Sequence, residues 1–189
     1  NTLSAFDHAL ETAGIWGIEL DFRWTKDLHP VVAHDPDLQR LFGSNLRIAE
    51  TTLAELKQHC PLVPTLEEVL LRYGGKLHLM VEAKEEHYPQ PEKQNMILKE
   101  LFAPLKPRED FHLLSLDPEM LVLVKFVDTS AKIPVADFNA KTLSKISLNE
   151  KYAGLGGHYL LLHKKIVKQH LDCGQKIGVG YPKSKNNLF

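Results

Sequence analysis

Two periodicities in the hydrophobic pattern divide the chain into helices and strands. Leu3, Phe6, Leu10 and Ala13 recur at helical spacing, which predicts a helix over 3–13 that ends before Gly14. Apolar runs predict strands at 15–23, 30–34, 77–82, 111–116, 132–138, 154–162 and 176–179. Segments between them predict helices at 52–58, 65–73, 92–101, 118–126 and 164–172, with another between 138 and 154. This alternation is typical of a parallel sheet with covering helices, in either a barrel or a doubly wound sheet.

Several helix boundaries carry local signals. Thr51 is expected to cap the helix at 52–58. Thr65 and Glu68 have the spacing of a capping box, which predicts the start of the next helix. For the helix at 164–172, the inner face is expected to consist of Ile166, Val167 and Leu171.

The first predicted strand carries two acidic residues on one face. Side chains alternate along a strand, so Glu19 and Asp21, two positions apart, point to the same side. Two solvated acids on a surface strand would look the same, but the apolar neighbours Ile18 and Leu20 indicate a buried strand. Buried strands rarely carry two acids without a partner. Two hard oxygen ligands from one face make half of a divalent-cation site.

The strand at 77–82 ends in the same way. Glu82 and Lys84 follow an apolar run, again two positions apart. Parallel α/β folds place their chemistry at the carboxyl ends of strands, so Glu82 is expected to join Glu19 and Asp21. Three converging carboxylates repel one another, and a hard cation removes that penalty. The alternative is that Glu82 pairs only with Lys84 and no metal binds.

Six segments resemble the glycerophosphodiester phosphodiesterase family, in order and at matching spacing. They are 1–6, 17–21, 25–27, 30–36, 64–69 and 82–84, with sparser similarity at 115–119 and 174–179. The resemblance implies a (β/α)₈ TIM barrel, which would make residues 1–189 a single domain. The alternation of helices and strands is compatible with both a barrel and a doubly wound sheet, and the resemblance favours the barrel.

The resemblance also implies roles for individual residues. Glu19, Asp21 and Glu82 would hold a divalent cation, Mg²⁺ or Ca²⁺, at the barrel mouth. His34 would transfer protons, a task that a near-neutral pKa suits, and Lys84 would bind the phosphate. The implied reaction is hydrolysis of a small-molecule glycerophosphodiester to glycerol 3-phosphate and an alcohol.

Both ends of the sequence interrupt family motifs. In the resembled family a strand ending in His-Arg-Gly, with a second catalytic histidine, comes before the position of Asn1. Residues 184–189 read as the opening of a helix. We therefore expect the first and eighth strands of the barrel to be missing from these 189 residues. The barrel would then be incomplete, with two open edges, and the 189 residues alone would be poorly soluble and inactive.

Two other functions are compatible with these residues. One is a phospholipase similar to the spider sphingomyelinases D, which share the Glu-x-Asp and histidine arrangement. Their secreted forms contain disulfides, and two cysteines far apart, Cys60 and Cys173, argue against that. The other is a non-catalytic barrel that binds a phosphate-containing ligand.

Composition limits the classes of binding partner and the cellular setting that are expected. A formal net charge of −1 and the absence of a basic run argue against nucleic-acid binding. No apolar stretch is long enough to span a membrane, and two cysteines do not make a disulfide framework, so a reducing, cytoplasmic setting is expected. The oligomeric state stays open.

The remaining histidines and one tryptophan are interpreted as structural. Trp24 is expected to pack in the core rather than to line a substrate pocket. His158 is the least clear-cut of the histidines because it lies near a predicted strand end. Other histidines interpreted in this way include His8, His59, His78, His112, His163 and His170.

Overall fold

The computed structural model describes residues 1–180, which form one main sheet, a small hairpin and the covering helices. The strands are β1 Gly17–Trp24, β2 Pro30–Val32, β3 Asp37–Leu38, β4 Ser44–Arg47, β5 His78–Ala83, β6 Phe111–Ser115, β7 Lys132–Ala136, β8 Gly154–His158 and β9 Lys176–Gly180. The helices are α1 Leu3–Glu11, α2 Gln39–Phe42, α3 Leu53–His59, α4 Leu66–Tyr73, α5 Pro91–Phe102, α6 Pro118–Leu123, α7 Ala140–Asn149 and α8 Lys164–Asp172. The α/β alternation predicted from the sequence is confirmed.

The main sheet has seven strands in the order β2-β1-β5-β6-β7-β8-β9. Neighbouring strands from β1 to β9 run parallel, and only β2 pairs antiparallel, against the end of β1. Over residues 1–180 the sheet is open, because no ladder joins β9 to β1 or β2. The open edges expected from the sequence are therefore present in this part of the chain.

Alternation along each strand separates a helix-covered face from an inner face. On β1 the apolar residues Leu20 and Phe22 are fully buried in the main core beneath the helices. Register pairs Asp21 of β1 with Glu82 of β5, so these two inner-face side chains lie side by side. The same pleat that builds the core thus places the acids together on the opposite face.

Local helix signals were mostly predictive. Thr65 caps α4, and its hydroxyl accepts from the Glu68 N–H while the Glu68 carboxylate accepts from the Thr65 N–H, so the capping box is confirmed. The cap of α3 is Thr52 with Glu55, not Thr51 as expected. Thr51 instead donates its hydroxyl hydrogen to the Arg47 carbonyl at the end of a preceding turn.

Two other expectations need correction. Leu171 of α8 is exposed, and the inner position is taken by His170, which is fully buried and hydrogen-bonded to the Ser144 hydroxyl at 3.0 Å. The hairpin of β3 and β4 was not predicted, because its strands of two and four residues are too short to show alternation. The predicted helix opening at 184–189 lies outside the described residues.

Two glycines allow strands to approach closely at the amino-terminal edge of the sheet. A Cβ on Gly17 would lie 2.3 Å from the His78 carbonyl oxygen, and one on Gly154 would lie 2.2 Å from that of Lys176. A side chain at either position would therefore push two hydrogen-bonded strands apart.

Candidate active site

Three carboxylates converge at the carboxyl-terminal edge of β1 and β5. Glu19, Asp21 and Glu82 each offer an oxygen within 4.8 Å of the others. Asp21 and Glu82 are buried, whereas Glu19 faces the mouth of the open sheet. The geometry thus brings together the three acids that the sequence selects as a metal site.

Lys84 lies among these acids. Its Nζ is 2.6 Å from Glu82 Oε1 and 3.2 Å from Asp21 Oδ1. Burial disfavours the ammonium, but the hydrogen bonds and charges of Glu82 and Asp21 outweigh burial and raise the pKa of Lys84. Lys84 therefore stays charged. When all four groups are ionised, the three carboxylates and the one ammonium have a net charge of two negative units.

The excess of negative charge contributes to a raised pKa of Glu19. Although its side chain reaches solvent, the protein crowded around its carboxyl group raises the pKa of Glu19 to about 7, and the charges of Asp21 and Glu82 add to the effect. All-oxygen donors with two uncompensated negative charges fit a hard divalent cation such as Mg²⁺ or Ca²⁺. The donor set therefore fits the cation that the resemblance implies.

Asn1 fixes one of the acids from outside the sheet. Its amide Nδ2 donates to Asp21 Oδ2 at 2.6 Å, and its Oδ1 accepts from the Asp21 backbone N–H at 3.1 Å. Sequence reasoning placed Asn1 in a family motif but gave it no role, since no periodicity links two residues twenty positions apart. The two bonds orient the carboxylate of Asp21 toward Glu82 and Lys84.

His34 lies just beyond β2, on the same edge of the sheet. The N–H of the preceding residue, Ala33, donates to the Asp21 carbonyl at 3.0 Å, which fixes the backbone next to the acids. The His34 side chain is exposed, and its Nδ1 is 2.8 Å from Asp35 Oδ1. Arg40 holds Asp35 through a 2.5 Å bond, and this bond together with that of His34 lowers the pKa of Asp35 to about 2.

A buried ion pair ties this segment to the loop after β5. Arg23 donates from Nε to the His34 carbonyl at 3.0 Å and from Nη1 to Glu86 Oε2 at 3.3 Å. Glu86 also accepts from the Trp24 N–H at 2.9 Å. Neither Arg23 nor Glu86 was singled out in the sequence, because their pairing depends on tertiary structure. Together they hold the end of β1, His34 and the loop that carries Lys84 in one rigid arrangement.

The inner face also lines a cavity of about 470 Å³ next to the acids. Glu19 and Glu82 border it on one side, and apolar side chains of β6 and β7 form its floor. His158, at the end of β8, lines it as well, so its interpretation as purely structural stays a prediction. Trp24 is 2 % exposed and packs against Phe22 and Tyr88, so its assignment to the core is confirmed.

Comparison with known proteins gives the same family from sequence and from structure. A glycerophosphodiester phosphodiesterase of Bacillus altitudinis is 34% identical over 104 residues, which cover 48% of this chain and 42% of that protein. The crystal structure of the Thermotoga maritima glycerophosphodiester phosphodiesterase superposes with a TM-score of 0.77 at 26% identity, covering 97% of this chain and 80% of its own.

A third relative was solved with a ligand. An Oleispira antarctica phosphodiesterase, in complex with its product sn-glycerol-3-phosphate, has a TM-score of 0.78 at 24% identity and covers 97% of this chain and 79% of its own. The structural alignments identify the fold as that of the family's TIM barrels. The chain spans less than half the length of the curated sequence relatives that it matches. The model of the glycerophosphoryl diester phosphodiesterase family matches residues 1–168, and the chain belongs to that family.

Proposed function

We propose that the protein containing this chain hydrolyses glycerophosphodiesters to glycerol 3-phosphate and an alcohol, with a divalent cation held by Glu19, Asp21 and Glu82. The observation that carries the proposal is the convergence of these three carboxylates around Lys84 at the carboxyl-terminal edge of the sheet. In barrel enzymes this edge is where catalytic residues lie. The fold as a whole also matches a phosphodiesterase solved in complex with its product sn-glycerol-3-phosphate.

The chain's own residues would divide the work between charge and proton transfer. When bound, the cation supplies positive charge that polarises the phosphoryl group. Lys84 offsets the charge that develops on the phosphoryl oxygens as water attacks phosphorus and the P–O bond to the alcohol breaks. His34 would transfer a proton to or from the reacting oxygens, because its exposed side chain is oriented through Nδ1 by Asp35 and its backbone follows the Ala33–Asp21 hydrogen bond.

Two alternative functions predict different products. A sphingomyelinase D-like protein would act on sphingomyelin, and a binding-only barrel would hold the cation and phosphate without turnover. Neither is favoured by a specific contact, and Cys60 and Cys173 are both free thiols, unlike the disulfide-bonded secreted lipases.

The test is turnover of glycerophosphocholine by the full-length protein. We expect equimolar glycerol 3-phosphate and choline, loss of activity in EDTA and recovery on adding Mg²⁺ or Ca²⁺. Glu82→Gln should lower turnover more than 100-fold and weaken cation binding, whereas Glu100→Gln on the outer surface of α5 should change neither. Cation binding without any hydrolysis would instead identify a binding-only barrel. Glycerol and choline phosphate as the products would exclude the proposed reaction. Release of choline and ceramide phosphate from sphingomyelin, with no turnover of glycerophosphocholine, would identify the sphingomyelinase D-like alternative.

A further inference from the structure

A second cleft, of about 540 Å³, opens at the amino-terminal edge of the sheet. It lies between the starts of β6, β7, β8 and β9, at the opposite end of the strands from the acids. Three cationic side chains line it, Arg108, Lys151 and Lys176, and no acidic residue among those described does so. None of the three forms an ion pair within residues 1–180. The cleft therefore concentrates uncompensated positive charge.

His112 contributes the second feature of this cleft. The residue is 1 % exposed, lines the cleft, and has an Nε2 atom with no hydrogen-bond partner among the described residues. A buried polar atom without a partner is costly, so this nitrogen calls for a ligand or a water.

Hydrogen bonds on the other side of the His112 ring determine whether Nε2 is a donor or an acceptor. His78 Nδ1 is 2.8 Å from the Glu109 carbonyl oxygen, which only accepts, so the His78 proton sits on Nδ1. His78 Nε2 then accepts from His112 Nδ1 at 2.7 Å. In the neutral His112 ring this leaves Nε2 as an acceptor. Burial, the adjoining His78 ring and the charges of Lys176 and Arg108 lower the pKa of His112 to about 4 and keep its ring neutral. Burial also lowers the pKa of His78.

A ligand for this cleft therefore needs negative charge and an acidic O–H in the same small group. Sulfate has the charge but no O–H at neutral pH. A phosphate monoester loses its last O–H with a pKa of about 6, whereas inorganic hydrogen phosphate keeps one. We propose that this cleft binds inorganic hydrogen phosphate, with its charge held by Arg108, Lys151 and Lys176 and its O–H donated to His112 Nε2.

The experiment follows the His112 imidazole nitrogens by NMR in the full-length protein, in EDTA at pH 7.5, as sodium phosphate is added. His112→Gln assigns the signals. Phosphate should shift them saturably, and sulfate and glycerol 3-phosphate should bind at least tenfold more weakly. The double variant Arg108→Gln/Lys176→Gln should weaken phosphate binding at least tenfold, whereas Lys93→Gln/Lys99→Gln, which removes two charges from α5, should not.

Each outcome decides the proposal. Signals that do not respond to phosphate, or respond equally in the Arg108→Gln/Lys176→Gln variant, would overturn the site. Equal binding of sulfate would overturn recognition through the O–H. Arg108 and Lys176 are exposed and lie at the opposite edge from the proposed catalytic residues, so folding and turnover of glycerophosphocholine should be unchanged in the double variant Arg108→Gln/Lys176→Gln. The two proposals can therefore fail independently.

Discussion

Lys84 and the three acids form a cluster that carries two net negative charges when all four groups are ionised. Lys84 compensates Glu82 and Asp21 through short contacts, and Glu19 is left to share the mouth with both. The trio was predictable because strand alternation is local, and register between β1 and β5 then brings the residues together. The contact between Asn1 and Asp21 was not predictable, since it joins residues twenty positions apart that only the folded chain brings together.

His34 gives the sharpest test at the residue scale. Its exposed ring contributes little packing, so His34→Ala should leave the unfolding free energy unchanged while lowering turnover of glycerophosphocholine about 10²–10⁴-fold, the usual contribution of proton transfer. Steady-state kinetics and urea denaturation of the full-length protein measure the two effects. His163→Ala, also at an exposed loop position, serves as the control. Near-normal turnover in His34→Ala would refute the assignment.

Lys84→Ala should act differently, because Lys84 is expected to contact the phosphate rather than to move a proton. We expect both a lower kcat and weaker inhibition by glycerol 3-phosphate. Lys76→Ala, on the opposite edge of the sheet, is the matched control. A variant that loses rate but keeps full affinity for the product would contradict phosphate binding by Lys84.

Buried His112 should make stability depend on pH. Its pKa is about 4 in the folded protein against 6.5 ordinarily, so below pH 6.5 the unfolded chain takes up a proton that the folded protein does not. Stability therefore falls as the pH drops from about 6.5 to about 4, and this single group contributes about 2 kcal/mol of the loss between pH 8 and pH 5.

The comparison with His112→Gln isolates that contribution. Denaturation in urea at pH 8 and pH 5, in phosphate-free buffer, should show a pH-dependent loss that is smaller in the variant by about 2 kcal/mol. His163→Gln should keep the wild-type difference. An identical pH dependence in wild type and His112→Gln would show that His112 is charged in the folded protein.

At the scale of elements, local chemistry explains why most boundaries were predictable. The Thr65–Glu68 capping box, the glycines after α4 and the Cys173-Gly174 end of α8 act within a few residues, so the sequence displays them directly. The face of α8 was partly mispredicted because burial of His170 depends on Ser144 of the adjacent α7. Apolar character alone favoured Leu171, which tertiary packing leaves in solvent.

The contribution of the α4 cap to stability can be tested by removing the Thr65 hydroxyl group. Thr65→Ala removes the hydroxyl that accepts from the Glu68 N–H at 3.1 Å, and should lower the unfolding free energy by about 1 kcal/mol. Thr65→Ser keeps the hydroxyl and should lose less than half as much. Urea denaturation measures both, and equal losses in the two variants would mean that the methyl group rather than the cap is responsible.

The close approach of β8 and β9 gives a second test at this scale. Gly154→Ala would place its methyl carbon 2.2 Å from the Lys176 carbonyl oxygen, so the strands must shift, at a cost of about 1–3 kcal/mol. Gly178→Ala, in the same ladder, meets nothing closer than 3.6 Å and should be nearly neutral. Similar stability of both variants by urea denaturation would contradict the strand spacing at this edge.

At the scale of the whole molecule, the described residues form an open α/β sheet that gathers charged side chains at both ends of its strands. The carboxyl-terminal edge collects three acids and Lys84, and the amino-terminal edge collects three cations and His112. No helix in residues 1–180 has the length and apolar character to cross a bilayer. The fold class was predictable from alternation plus the family resemblance, whereas the basic cleft was not, because its lining comes from four separate loops.

The open sheet leads to the last prediction, which concerns the 189 residues expressed alone. The edges formed by β1 with its short partner β2 and by β9 leave backbone groups without sheet partners over residues 1–180. Such edges pair with other chains, so we expect these 189 residues to sediment as aggregates and to show no turnover of glycerophosphocholine. A longer protein in which flanking strands close the sheet should be monodisperse and active. Sedimentation velocity measures aggregation and the choline assay measures turnover of the two proteins, whose masses are verified beforehand. Turnover by the exact 189-residue chain would contradict the prediction and show that these residues are sufficient for catalysis.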